Sequence, residues 1–281
     1  MRIANLSGRL VLITDQDTAV DVEQLSEGRF AADPQAVYAR WAEFRAWASA
    51  ITLPAGVPFA AADLGAPAPA ARQILAIGLN YRDHAAESGF AVPDGLPPVF
   101  TKFASCVTGP VTDVRLPDGG QTDWEVELVM VIGTYAYQVA EQDAWDHVAG
   151  LTVGQDISER RTQLAGPAPQ FSLGKSYPGF APTGPYLVTP DAFADPGDLQ
   201  LGCAINGEEV QKGRTSDLLL SVPVLIARLS AVLPLSPGDI VFTGTPAGVG
   251  LGRKPQRWLT DGDELVSYVT GIGELRQRFH S

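Results

Sequence analysis

The run Thr122-Asp123-Trp124-Glu125-Val126-Glu127-Leu128-Val129-Met130-Val131-Ile132-Gly133 sets the fold class expected for this chain. Side chains of an extended segment alternate between two faces. Trp124, Val126, Leu128, Met130 and Ile132 share one face, and Asp123, Glu125, Glu127, Val129 and Val131 share the other. An apolar run of this length closed by glycine reads as a strand buried on both faces. Carboxylates at its entrance are then partly desolvated and repel one another. Such groups take a proton or a compensating cation, because burying unpaired charge is costly. A divalent metal answers that need; the alternative is a solvated strand end facing nothing.

Working outward, Gly150 to Ser158 reads as another strand that runs into an acid, Asp156. Asp156 could add a third oxygen to Glu125 and Glu127. Carboxylates without His or Cys select a hard cation, Mg²⁺ or Mn²⁺ before Zn²⁺. After Asp156, Ser158 to Gln163 looks like the start of a helix with Arg160 and Gln163 on one face. On the upstream side, Ile74 to Gly78 is a short apolar strand, followed by Leu79-Asn80-Tyr81-Arg82-Asp83-His84-Ala85-Ala86-Glu87. If Asn80 caps a helix there, His84 and Glu87 stand three apart and face the same way. A carboxylate beside an imidazole raises its basicity and fixes its orientation, as a general base requires. An ordinary surface ion pair is the competing reading.

At the amino terminus, Arg9 to Ile13 and Ala19 to Val22 read as strands. Asp33-Pro34 opens a helix carrying Val37, Trp41, Phe44, Ala48 and Ile51 at spacings of three and four. Residues 53–72, rich in Pro, Ala and Gly, look like a linker. The expected division is a small N-terminal strand-and-helix domain with linker over 1–70 and a main domain over 71–281. In the main domain, Val99 to Phe103 and Thr112 to Leu116 are expected strands, and residues 165–190 are loop-rich. Asn206-Gly207 marks a hairpin between 199–205 and 208–210. Ser221 is expected to cap a helix to about Leu233, and strands follow at 239–243, 264–269 and 272–279. Few helices among many short strands give an α+β, mostly β architecture.

Composition narrows the classes. With 281 residues and 45% hydrophobic content the chain can bury a full core, while 29 Gly and 22 Pro suit a loop-rich β enzyme. A formal net charge of −12 argues against a nucleic-acid surface. Cys106 and Cys203 form no CxxC, and His84, His147 and His280 are the only histidines, so a zinc cluster is not expected. No apolar run reaches transmembrane length and the first residues lack a signal-peptide core, which makes a soluble cytoplasmic protein the expectation. Several motif matches fail. Gly174-Lys175-Ser176 lacks the upstream glycine of a P-loop, Ser172-Leu173-Gly174-Lys175 lacks the partner motifs of a serine acylase, and Gly248 to Gly252 lacks dinucleotide-binding spacing.

Taken together, Gly78-Leu79-Asn80-Tyr81 with His84 and Glu87, the Asp-Trp-Glu-Val-Glu-Leu strand, Asp156 to Arg160, Gly174-Lys175-Ser176, Thr183-Gly184-Pro185 and Phe242 to Gly250 resemble the fumarylacetoacetate hydrolase (FAH) family. The resemblance covers roughly residues 73–279. It implies a catalytic domain with a rolled mixed sheet, usually in a homodimer. It also implies a metal held by Glu125, Glu127 and Asp156, a His84–Glu87 dyad on a lid segment, and Lys175 as the family's lysine. Arg160 and Gln163 would bind substrate, and Thr245 with nearby backbone N–H groups would meet a substrate carboxylate. Where some members carry a further acid this chain has Asn80, leaving three ligands. Where some acylpyruvate-cleaving members carry Arg, it has Leu79.

The chemistry expected from these parts is hydrolysis of the C–C bond of a 2,4-dioxo acid or acylpyruvate-like substrate through a metal-stabilised enolate, with water activated by His84. The same site also suits an oxaloacetate-type decarboxylase or an isomerase or hydratase of 2-oxo acids. A non-catalytic carboxylate-binding protein fits less well with a complete residue set. Lys102, Ser105 and the loop from Leu164 to Phe171 are expected along the distal pocket.

Overall fold

In the computed structural model of the protein, which describes residues 1–281 apart from Gln16, Ser88, Phe90, Val92, Pro93 and Asp94, the quoted run forms two strands, Thr122–Asp123 and Val126–Ile132. The single strand expected from the alternation is broken because side chains replace backbone partners at the join. Glu125 N–H donates to Gln155 Oε1 at 2.8 Å, and Val126 N–H donates to Gln211 Oε1 at 3.0 Å. Past the break every residue of Val126–Ile132 is buried, as a strand covered on both faces must be.

Val126–Ile132 lies inside a mixed sheet, antiparallel to Val148–Gln155 on one side and to Ile240–Phe242 on the other. Beyond Val148–Gln155 come Ala181–Val188, Arg2–Leu6, Arg9–Asp15, Thr18–Asp21 and Val57–Pro58 in that order. Beyond Ile240–Phe242 come Ile74–Ile77, paired parallel, and Val99–Thr101 at the open edge. A second sheet runs Glu208–Arg214, Gln200–Ile205, Glu264–Val269, Gly273–His280, Val111–Arg115. It packs against the first through Glu264–Val269 and Gly273–His280. Helices are short, so the architecture is mixed α+β dominated by strands.

Three local expectations change. Ala181–Val188, expected as loop, is a fully buried strand of the main sheet. Pro182, Gly184 and Pro185 hide it, since proline cannot donate to a ladder; the pairing with Val148–Gln155 shifts register at that point. The helix after Ser221 spans Val222–Ser230, without a side-chain cap and short of Leu233. The Val37-to-Ile51 pattern divides into a 3₁₀ turn, Ala36–Arg40, and an α-helix, Trp41–Ala50, with Val37, Trp41 and Phe44 buried.

The sheet and the core run through residue 70. Ile3 pairs with Leu187, and the linker expected over 53–72 supplies Val57–Pro58 and Leu64–Gly65 to strand edges. Trp41 presses on the central strand's end, where a Cβ at Gly133 would stand 2.5 Å from its ring. Among the described residues no helix is long and apolar enough to cross a membrane.

Candidate active site

Antiparallel pairing assembles the carboxylates. Val126 faces Gln155 and Glu127 faces Gly154, so Glu125 arrives beside Asp156, whose N–H donates to Glu125 O at 2.9 Å. One oxygen from each of Glu125, Glu127 and Asp156 lies within 4.8 Å of the others, and all three residues are buried.

Their charges are compensated unequally. Lys175 Nζ donates to Glu125 Oε2 at 2.7 Å and to Asp156 Oδ2 at 2.8 Å, and Arg160 Nη2 donates to Glu125 Oε1 at 2.7 Å. Lys102 Nζ donates to Asp156 Oδ1 and to the Lys175 carbonyl. Glu127 accepts the Gly244 N–H at 2.6 Å, but no cationic side chain pairs with it among the described residues. The pKa shifts follow these contacts. Burial raises the Glu127 carboxyl well above the carboxylate range, and the charges of Asp156 and Glu125 add to the rise. Burial also works to raise Glu125, but Lys175 and Arg160 outweigh it and hold that carboxyl below its ordinary value. For Lys175, burial works downward and is outweighed by Asp156 and Glu125, so its ammonium is retained. A buried carboxylate left without a cation beside two others, all hard oxygen donors, fits a divalent metal ion.

The dyad forms in the same cleft. His84 and Glu87 sit on the helix Arg82–Glu87, with His84 Nδ1 3.0 Å from Glu87 Oε1. Glu87 is itself held by the Gly248 N–H at 2.9 Å. Asn80 does not act as the expected helix cap. Its amide donates to the carbonyls of Leu220 at 3.0 Å and Thr243 at 2.8 Å, and its Oδ1 accepts the Leu220 N–H at 2.9 Å. Asn80 thereby ties the segment before the dyad to the turn after Ile240–Phe242. Gly244 in that turn has φ of 106°, and a Cβ there would stand 2.7 Å from Asn80 Cβ. Glycine is what lets the turn pass Asn80 and still reach Glu127.

His84, Glu125, Glu127, Arg160, Gln163, Lys175 and Thr245 all line one cleft. Glu87 and Asp156 stand directly behind it as partners of His84 and Lys175. Arg160 is largely engaged within the protein, with Nε on Asp123 Oδ2 at 2.9 Å, Nη2 on Glu125 and Nη1 on Gln163 Oε1 at 2.9 Å. The Thr245 hydroxyl donates to Val126 O at 2.8 Å and accepts from Gln211 Nε2 at 2.8 Å. Leu164 and Phe171 line the cleft as expected, but Lys102 lies buried against Asp156 and Ser105 is exposed away from it. Lys102 belongs to the charge network because the chain turns inward after Val99–Thr101, which a sequence pattern does not show. Asp123, which accepts Gly250 and Leu251 N–H groups as well as Arg160, and Gln211, which bridges Val126, Thr245 and Pro246, were not expected in the site. Asp123 carried a signal, as the first acid of the decisive run; Gln211 carried none.

A mixed-sheet fold with a buried carboxylate triad and a His–Glu dyad in one cleft defines an enzyme site for small molecules. Residues 73–280 match the family described as fumarylacetoacetate (FAA) hydrolase, C-terminal, and the chain belongs to the FAH family, whose enzymes act on carbon–carbon bonds. It is similar to the oxaloacetate tautomerase FAHD2A, mitochondrial, of Homo sapiens, with 42% identity over 211 residues, or 75% of this chain and 67% of that one. A crystal structure assigned as HpcE from Mycobacterium smegmatis superposes with a TM-score of 0.94 at 55% identity, covering 100% of this chain and 99% of that one. Maleylpyruvate hydrolase from Sphingobium sp. SYK-6, solved with manganese(II) and pyruvate, superposes with a TM-score of 0.80 at 28% identity over 100% of both chains.

Proposed function

We propose that the protein hydrolyses the C3–C4 bond of a 2,4-dioxo acid, an acylpyruvate-like compound, with Glu125, Glu127 and Asp156 holding Mg²⁺ or Mn²⁺. The observation that carries this reading is the His84–Glu87 pair, 3.0 Å apart, lining the same cleft as the carboxylate cluster. Glu87 occupies Nδ1 as acceptor, which leaves the Nε2 lone pair for a reactant. His84 Nε2 takes a proton from water as the oxygen adds to the C4 carbonyl. The C3–C4 bond then breaks with its electron pair on C3, and the proton held by His84 is available to C3. The products are pyruvate and the carboxylic acid of the acyl group. Lys175, with one ammonium proton beyond those given to Glu125 and Asp156, faces the charge that develops at the 2-oxo end. Gln163 turns its carbonyl to Arg160, so its NH₂ is left for the substrate carboxylate. A bound divalent ion supplies Lewis-acid polarisation of the 2-oxo acid end. The Sphingobium hydrolase, solved with manganese and pyruvate, supports this choice of metal and product.

A second reading, favoured by the human relative's name, is tautomerisation of oxaloacetate. There His84 would move a proton between C3 and the 2-oxygen with no attacking water. Incubating a 2,4-dioxo acid with enzyme and Mg²⁺ separates the two. Hydrolysis predicts loss of the ultraviolet enol absorbance, equimolar pyruvate and carboxylic acid, and arrest by EDTA. Rapid enol–keto exchange of oxaloacetate with no cleavage of any dioxo acid sinks the hydrolase reading. Pyruvate from oxaloacetate without an acyl product would mark a decarboxylase.

A further inference from the structure

We propose that the substrate group beyond the distal carbonyl is apolar and uncharged, so that the preferred substrate is a monocarboxylate; this rests on the 2,4-dioxo acid reading. The cleft has two chemically distinct ends. Its polar end is the acid, lysine and histidine cluster, and the remaining wall is built by Ile77, Leu79, Phe100, Leu164, Phe171 and Leu251. Phe100 joins the two ends. Lys175 Nζ lies 5.2 Å from its ring centroid, and Phe171 meets it edge-on at 5.5 Å. Leu164 remains 40% exposed at the rim, apolar surface that a ligand would cover.

Among the described residues, no cationic side chain stands on this apolar wall to receive a second carboxylate. The cleft's Arg and Lys stand at its polar end, Arg160 on Asp123, Glu125 and Gln163, and Lys175 on Glu125 and Asp156 with its remaining proton toward the 2-oxo end. Four backbone donors of the glycine-rich turn are given to the protein's own acids: Gly244 to Glu127, Gly248 to Glu87, Gly250 and Leu251 to Asp123. Residues 164–174, which reach the cleft through Leu164 and Phe171, contain no Lys, Arg or His. A terminal carboxylate placed here would be desolvated without a partner, whereas each methylene placed here gains burial.

The test compares straight-chain 2,4-dioxo acids, from acetylpyruvate upward, with chains of equal length ending in a carboxylate, all at saturating Mg²⁺. The kcat/KM is expected to rise about threefold per added methylene over the first few. A terminal carboxylate is expected to lower it at least tenfold. Calorimetry supplies an arm without turnover: 2-oxohexanoate is expected to bind at least tenfold more tightly than 2-oxoadipate. Leu164→Arg, at an exposed position, is expected to narrow both ratios at least tenfold. Equal or better use of the carboxylated chains, or ratios unchanged in Leu164→Arg, overturns the proposal. If no dioxo acid is cleaved while 2-oxohexanoate still binds more tightly, the hydrolase reading falls and the apolar pocket stands. If cleavage favours the dicarboxylates, the hydrolase reading stands and the apolar pocket falls.

Discussion

Among the described residues, Glu127 is a buried carboxyl beside two other acids that accepts the Gly244 N–H and pairs with no cationic side chain. Replacing it by the isosteric neutral amide removes that repulsion. Glu127→Gln should therefore raise the melting temperature in EDTA by about 2–6 °C, a change of one or two kcal/mol in a chain of this size. The same variant should lose the rise in melting temperature that Mg²⁺ or Mn²⁺ gives the parent protein, because binding to the native state alone is what stabilises. A variant that responds to the ion as the parent does would place the metal elsewhere. His84 has the opposite signature. His84→Ala should lower kcat by about 10²–10⁴ and leave the metal-induced rise intact, while Glu125→Ala should lose both. Near-full activity in His84→Ala would remove water activation from the mechanism. These residues were legible in the sequence because alternation puts Glu125 and Glu127 on one face and Asp156 ends the next strand. Lys102 and Gln211 were not, since their roles come from chain turns and cross-sheet contacts that no local pattern encodes.

At the scale of elements, Asn80 holds the site's parts in register. It lies between Ile74–Ile77 and Arg82–Glu87 and bonds the chain at Leu220 and Thr243, so it links dyad, helix-entry loop and glycine turn. Asn80→Ala would leave the Leu220 N–H and Thr243 carbonyl buried without their partner. The expected cost is about 2–4 kcal/mol in urea unfolding, with weaker metal binding as Gly244 withdraws from Glu127. A loss under 0.5 kcal/mol with unchanged metal affinity would make Asn80 a spectator. The chemistry of an asparagine allowed either a helix cap or a loop clamp, and only tertiary contact decides between them. Ala181–Val188 teaches the same lesson for strands. Its two prolines and glycine argue for a loop by local rules, yet it pairs along both of its sides, with a register shift beside Pro185, which cannot donate. By contrast, Val126–Ile132 and the hairpin at Asn206-Gly207 were legible, because burial on both faces and a two-residue turn leave direct traces in the residues.

At the scale of the molecule, the open question is what residues 1–70 are to the rest. The composition change over 53–72 and the start of the family match at residue 73 support a boundary between sequence modules there. The sheet does not observe it. Arg2–Leu6 covers the edge of Ala181–Val188, the Met1 amine donates to Thr189 Oγ1 at 2.8 Å, and Trp41 and Phe44 join one continuous core. Removing these residues uncovers a buried strand edge and an apolar face together, the combination that drives edge-to-edge association. A chain of residues 71–281 should therefore associate or precipitate when produced alone. A separately added 1–70 segment should restore a soluble 1:1 complex only if the two are present during refolding. Size-exclusion chromatography with light scattering reads both outcomes, and the metal-induced rise in melting temperature reports whether the site has formed. A soluble 71–281 chain that keeps this rise unaided would make residues 1–70 an appended domain and the shared sheet a docking contact.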